Sequence, residues 1–183
     1  MSYHRKSIRL PGYDYSQGGM YFISINTYNH CMLFMDIVGD QFVPTAYGEI
    51  ALCEWMKLEK RFRFIELDTF IVMPNHVHGI IIFHEIPDGV ERKNGLSERI
   101  DPPHPPHEQI NSARLKRASL GSVIGAYKST TARLINCLRH SPGDRVWQRN
   151  YYEQIIRNEN HWARAREYIQ NNPDNWKSEK NIK

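Results

Sequence analysis

Met73-Pro74-Asn75-His76-Val77-His78-Gly79-Ile80-Ile81-Ile82-Phe83 is a β-strand entered from a turn. Pro74-Asn75 is turn chemistry, and Ile80 to Phe83 is a run of strand formers. Alternate side chains on a strand point the same way, so His76 and His78 share one face while Val77, Gly79 and Ile81 share the other. Two imidazoles about 7 Å apart on one strand face can converge on a single metal ion. They can equally be polar surface residues at a strand's start, and the stretch alone does not choose between the two.

Working outward, Phe64 to Val72 precedes the turn as a second strand, which predicts an antiparallel hairpin. Met20 to Thr27 is a further strand, with Tyr21, Ile23 and Ile25 on one side and Phe22, Ser24 and Asn26 on the other. Leu33 to Val38 is expected to turn at Gly39-Asp40 into Gln41-Phe42-Val43. Pro44-Thr45 then opens a helix to about Lys60, with Tyr47, Ile50, Ala51, Trp55 and Leu58 facing inward. Ser119 caps a helix to about Leu138, with an expected inner stripe of Leu120, Val123, Ile124, Tyr127, Leu134 and Leu138. A strand follows within Val146 to Ile156. Asn158 caps a last helix, which Pro173 is expected to end at about Asn172. This order predicts an α+β fold: a ferredoxin-like antiparallel sheet with helices packed on one face. Residues 85–112 hold Pro87, Asp88-Gly89, Asn94-Gly95 and Pro102-Pro103-His104-Pro105-Pro106-His107. That composition predicts a long mobile insertion in a single 1–183 domain, with His104 and His107 as surface residues.

At 183 residues, 40% hydrophobic and 24% charged, the chain can bury one core and is neither disordered nor fibrous. No apolar run approaches the ~20 residues of a bilayer span. The first ten residues carry His4, Arg5, Lys6 and Arg9 with no apolar segment after them, which does not read as a secretory signal. Three widely spaced cysteines without a CxxC fit a reducing cytoplasm, the expected location. Net charge is only +4, yet between Asn111 and Arg149 eight basic residues stand against Asp144 alone. This segment is a candidate polyanion surface, with Arg114, Lys116, Arg117, Lys128 and Arg133 as candidate phosphate contacts; a solvated basic helix face is the competing reading.

The last helix contains Tyr168-Ile169-Gln170-Asn171-Asn172-Pro173. Tyr168 and Asn172 are four apart and share a face, while Trp162, Ala165 and Ile169 form the stripe that can anchor the helix. A phenol and a carboxamide oxygen side by side offer a nucleophile and a neutral, hard metal ligand. Asn before Pro is also ordinary helix-ending chemistry. Tyr151 and Tyr152 are rival nucleophiles by residue type, but no ligand partner accompanies them. His84 shares parity with His76 yet lies ~20 Å along the strand, too far to join it on one ion.

Taken together, His76-Val77-His78 and Tyr168-x-x-x-Asn172 resemble the histidine–hydrophobic–histidine (HUH) motif and the nucleophile helix of the single-tyrosine transposases. Arg5-Lys6-Ser7-Ile8-Arg9-Leu10-Pro11-Gly12-Tyr13-Asp14-Tyr15, Phe70 to Gly79 and Val146-Trp147-Gln148-Arg149-Asn150-Tyr151-Tyr152-Glu153 are similar to the REP-associated tyrosine transposase branch. The resemblance implies a ferredoxin-like catalytic domain that cleaves and rejoins single-stranded DNA near hairpins, with Mg²⁺ or Mn²⁺ and a 5′-phosphotyrosine intermediate. It implies His76 and His78 as metal ligands, Tyr168 as nucleophile and Asn172 as third ligand, where relatives in the wider family carry Gln. Imidazole nitrogen also suits Zn²⁺ or Ni²⁺, so a purified sample could hold either. The wider family often forms homodimers in which the tyrosine helix reaches into the partner, whereas REP-associated members can act as monomers. Two other classes remain: a domesticated nucleic-acid-binding module without strand transfer, and an unrelated metallohydrolase using water.

Overall fold

The computed structural model describes residues 18–39, 41–84 and 119–180. Within them the order is β1 (Gly19–Asn26), a 3-10 turn (Tyr28–His30), β2 (Met35–Val38), β3 (Gln41–Pro44), α1 (Ala46–Met56), α2 (Leu58–Arg61), β4 (Ile65–Met73), β5 (His76–Phe83), α3 (Leu120–Leu138), β6 (Tyr152–Ile156) and α4 (Glu159–Lys180). Four strands form one sheet in the order β4-β5-β1-β6, every pair antiparallel. The two helical crossovers, β1 to β4 through α1 and β5 to β6 through α3, make the fold ferredoxin-like, as the element order predicts. β2 and β3 form a separate hairpin, with Gly39 at φ +60 in its turn, a backbone region that glycine enters without steric cost.

Period-two alternation sorts the sheet residues into two cores. Tyr21, Ile23, Ile25, Val77 and Ile81 face α1 and α3 and join Trp55, Leu120, Val123, Ile124 and Tyr127 in the larger core. Trp55 stacks on Phe70 at 4.3 Å between ring centroids. Its indole lies so close over Gly79 that a Cβ there would collide with it. Phe22, Ile80 and Ile156 point the other way and pack with Ala165 and Ile169 of α4. The two crossover helices thus share one face, as expected, and the terminal helix covers the opposite one, which the notion of helices on a single face does not include.

Two features of the helices differ from expectation. Helix α4 runs through Pro173 to Lys180. The proline removes a single N–H donor, and the turn beyond it is held by tertiary packing of Trp176 against Phe42 of β3, ring centroids 5.4 Å apart. In α3 the buried stripe continues through Thr131 and Ile135, while Leu134 is half-buried and Leu138 is exposed. Thr131 holds an inward position because its hydroxyl donates to the Tyr127 carbonyl at 2.8 Å and accepts from Trp147 Nε1 at 2.8 Å. The caps are where the residue types put them. Thr45 Oγ1 accepts from Gly48 N, Ser119 Oγ from Ser122 N and Asn158 Oδ1 from His161 N. The expected insertion at 85–112, with His104 and His107, lies outside the described residues, as do the N-terminal stretch 5–15 and Arg114, Lys116 and Arg117.

Candidate active site

The β4–β5 turn is pinned from both sides. The Pro74 carbonyl accepts from the Leu33 and Phe34 amides at 2.7 and 3.0 Å; the Asn75 carbonyl accepts from the Thr27 amide and hydroxyl, both at 2.9 Å. Two residues later the strand presents His76 and His78 on the α4 side, their ring centroids 4.5 Å apart at an interplanar angle of 67°. Asn75 then orients the first imidazole: its Oδ1 lies 2.7 Å from His76 Nδ1.

His78 is 5% exposed, and its Nδ1 makes no hydrogen bond of good geometry. Burial, then the neighbouring His76, pushes its pKa down to about 3, with the Ile23 backbone acting the other way. It is therefore a neutral imidazole at physiological pH, the form that can donate electrons to a cation.

Helix α4 brings the other half. Its anchors are Ala165 and Ile169 in the second core, with Trp162 packed against them. A register shift in β4 between Leu67 and Phe70 bulges Asp68 and Thr69 toward the helix. Asp68 Oδ2 accepts from Trp162 Nε1 at 2.6 Å, Asp68 Oδ1 lies 3.3 Å from Arg166 Nη2, and Arg166 Nε donates to Thr69 Oγ1 at 3.3 Å. Held this way, the helix places the Tyr168 ring 5.4 Å from His78 and 5.9 Å from Phe22 while leaving it 48% exposed. One turn on, Asn172 is 6% exposed and sets its Oδ1 3.2 Å from His76 Nε2. The two motifs, some ninety residues apart in sequence, meet within a single chain.

Among the described residues no group of three or more His, Cys, Asp or Glu is placed to hold a metal. The donors at this site are two imidazoles and one carboxamide oxygen, and they carry no negative charge. His84 stands at the far end of β5, paired with Glu66 at 3.1 Å. Tyr151 packs against the larger core, and Tyr152 lies beside Phe22, ring centroids 6.2 Å apart. Lys128 and Arg133 sit on α3, across the sheet from the histidines. Lys128 Nζ donates to the Gln148 and Arg149 carbonyls at 2.6 and 3.0 Å, and burial lowers its pKa. Arg133 lines a groove with Lys57, Lys60 and Arg61.

Three contributors escape a reading of the sequence alone. Asn75 reads as a turn residue, Phe22 as a strand residue on the face of Ser24 and Asn26, and Asp68 as part of an ordinary strand. The trace in the sequence is Asp68-Thr69, two successive polar residues in a strand whose alternation would make one of them face inward.

This fold has a counterpart among solved structures. The chain superposes on a REP-associated tyrosine transposase, solved bound to a REP hairpin, with a TM-score of 0.56 over 96% of this chain and 74% of that one, at 17% identity. The chain thus has the HUH/REP tyrosine transposase-like fold. A second solved structure, from Deinococcus radiodurans, aligns over 89% of this chain and 95% of that one at 18% identity, but at a TM-score of 0.41 it does not bear on the fold. In sequence the chain is 34% identical over 177 residues to an uncharacterized protein of Haemophilus influenzae, covering 97% of this chain and 92% of that one, and it belongs to the same family as that protein. No protein-family model matches the chain. No helix among the described residues is long and apolar enough to cross a membrane.

Proposed function

We propose that this protein is a metal-dependent single-stranded-DNA transesterase of transposase type, which nicks and rejoins DNA near hairpins through a 5′-phosphotyrosine. The observation that carries this reading is the exposed Tyr168 phenol beside the His76/His78 pair, whose buried member His78 is a neutral imidazole, all in one chain. The hairpin held by the transposase of the same fold supports the choice of DNA partner.

The donor set fits a divalent cation. His76 Nε2 and Asn172 Oδ1 meet at 3.2 Å, which brings an imidazole nitrogen and a carboxamide oxygen, both able to ligate, to one point. His76, His78 and Asn172 would hold the ion, Mg²⁺ or Mn²⁺ in use and Zn²⁺ or Ni²⁺ in some purified samples. When bound it would draw charge from a phosphate oxygen and help align the scissile group.

The chain's own groups do the rest. As the Tyr168 phenol attacks, its proton passes to solvent or to a phosphate oxygen. The Tyr168 oxygen forms a bond to phosphorus, the bond from phosphorus to O3′ breaks, and O3′ takes up a proton and leaves as a 3′-hydroxyl. One phosphoester replaces another, so a 3′-hydroxyl can run the step backwards and rejoin the strand. Asn75 orients the His76 ring, and the Asp68 clamp holds Tyr168 and Asn172 in position.

Incubation of the full chain with labelled hairpin oligonucleotides and Mn²⁺ tests this. A denaturation-resistant DNA adduct that disappears in Tyr168→Phe while binding persists is the expected result. Cleavage that survives Tyr168→Phe would point to water as nucleophile and overturn the reading. Binding without Mn²⁺-dependent cleavage of any hairpin would leave a DNA-binding module.

A further inference from the structure

Beside Tyr168, away from Asn172, a cavity of about 390 Å³ opens between α4 and the edge strand β6. We infer that it seats one unpaired nucleotide of the DNA strand, the one on the 3′ side of the phosphate that Tyr168 attacks. The inference rests on the proposed function and extends it to the recognition of that strand.

Helical spacing puts His161, Arg164, Tyr168 and Asn172 along one face of α4, over ~16 Å. Tyr168 divides that stripe. On its C-terminal side lie Asn172 and His76, two of the three candidate cation ligands; the third, His78, lies against Tyr168 and also lines the cavity. On its N-terminal side Arg164 and His161 border the cavity, whose other walls include Phe22, Tyr152 and Gln154. Aromatic walls with a few polar groups are what a nucleobase requires: a ring to stack on and hydrogen bonds for its edge. Tyr152 is 44% exposed, so its ring is available for stacking. Gln154 projects from the same face of β6 with both a donor and an acceptor. Arg164, exposed at the rim, carries the charge that a phosphate calls for. The size lies at the small end for ligand sites, which suits one nucleotide and excludes a base pair.

The chemistry selects which nucleotide. In an in-line displacement the leaving O3′ departs opposite the attacking phenol, carrying the 5′ portion of the strand away from Tyr168. The nucleotide joined through O5′ stays on the phosphorus beside the phenol and becomes the covalently held one. Tyr168 is itself part of the cavity wall, so this retained nucleotide is the one within reach.

The test uses a hairpin with random unpaired flanks, selected from a pool for tight binding to the Tyr168→Phe full chain, and then scanned with single abasic substitutions. One flank position is expected at which loss of the base weakens binding by roughly 5- to 150-fold. In a Tyr152→Ala, Tyr168→Phe protein that penalty should vanish, with Gln154→Ala as a milder companion. Cleavage mapping with the unmodified chain should then place the sensitive base directly 3′ of the nick. A flat abasic scan, a penalty that persists without Tyr152, or a sensitive base on the 5′ side would overturn the inference. Because binding is read without the phenol, failure of the cavity is distinct from failure of covalent capture.

Discussion

The two faces of the sheet are built from the same four strands and put to opposite uses. Toward α1 and α3, Tyr21, Ile23, Ile25, Val77 and Ile81 meet a closely packed layer, and Trp55 leaves no room for a side chain at Gly79. Toward α4 the second core is small: Phe22, Ile80, Ile156, Ala165 and Ile169. The rest of that face is given to His76, His78 and Asn172, with Tyr168 exposed at its margin. Polar groups can be gathered at such density on one side because stability is supplied by the other. Each strand residue changes face with its neighbour, so His76 and His78 are held by the apolar residues beside them in sequence.

The largest effect expected is on chemistry alone. Tyr168→Phe should abolish covalent DNA capture and leave thermal stability within about 0.5 kcal/mol of the parent, as for an exposed position; an unfolded variant would contradict the independence of the two faces. Next, Mn²⁺ should raise Tm in the parent, by mass action on the folded state. His76→Ala should lose that rise, and a shift that survives the substitution would place the cation elsewhere.

Gly79→Ala attacks the apolar face directly. Crowding the Trp55 ring is expected to cost about 1–3 kcal/mol, lowering Tm by roughly 2–4 °C per kcal/mol in a chain of this size. If instead it removed Mn²⁺ binding with Tm unchanged, the faces would be coupled. Asp68→Ala probes how α4 is held: it removes acceptors of Trp162 and Arg166, with an expected loss of about 1–2 kcal/mol. Covalent capture should fall by more than that stability loss explains, since Tyr168 and Asn172 ride on the same helix. The smallest effect should come from Trp176→Ala, which removes the contact with Phe42 beyond Pro173. Fraying of the last turns, read by hydrogen exchange, is expected with capture nearly intact.

Much of this was legible in the residues. Alternation in Met20–Asn26 and His76–Phe83 assigns each side chain to a face, and Thr45, Ser119 and Asn158 cap the helices their side chains suggest. The spacing of Tyr168 and Asn172 puts both on one side of a helix before any coordinates are known. The errors share one cause. Pro173 reads as a helix stop, but Trp176 finds Phe42. Leu134 and Leu138 read as core by hydrophobicity, but Thr131 gains two buried hydrogen bonds and takes the inner stripe. Contacts that cross the fold overrode local preference.

By itself the amino-acid order determined the period of each element, hence which neighbours share a face, because backbone geometry repeats irrespective of what lies opposite. It could not determine what would be opposite. The Asp68 bulge that docks α4, the Asn75 oxygen that turns His76, and the cavity behind Tyr168 arise only when segments distant in sequence close on one another. Their distances are properties of packing, and no spacing along the chain encodes them.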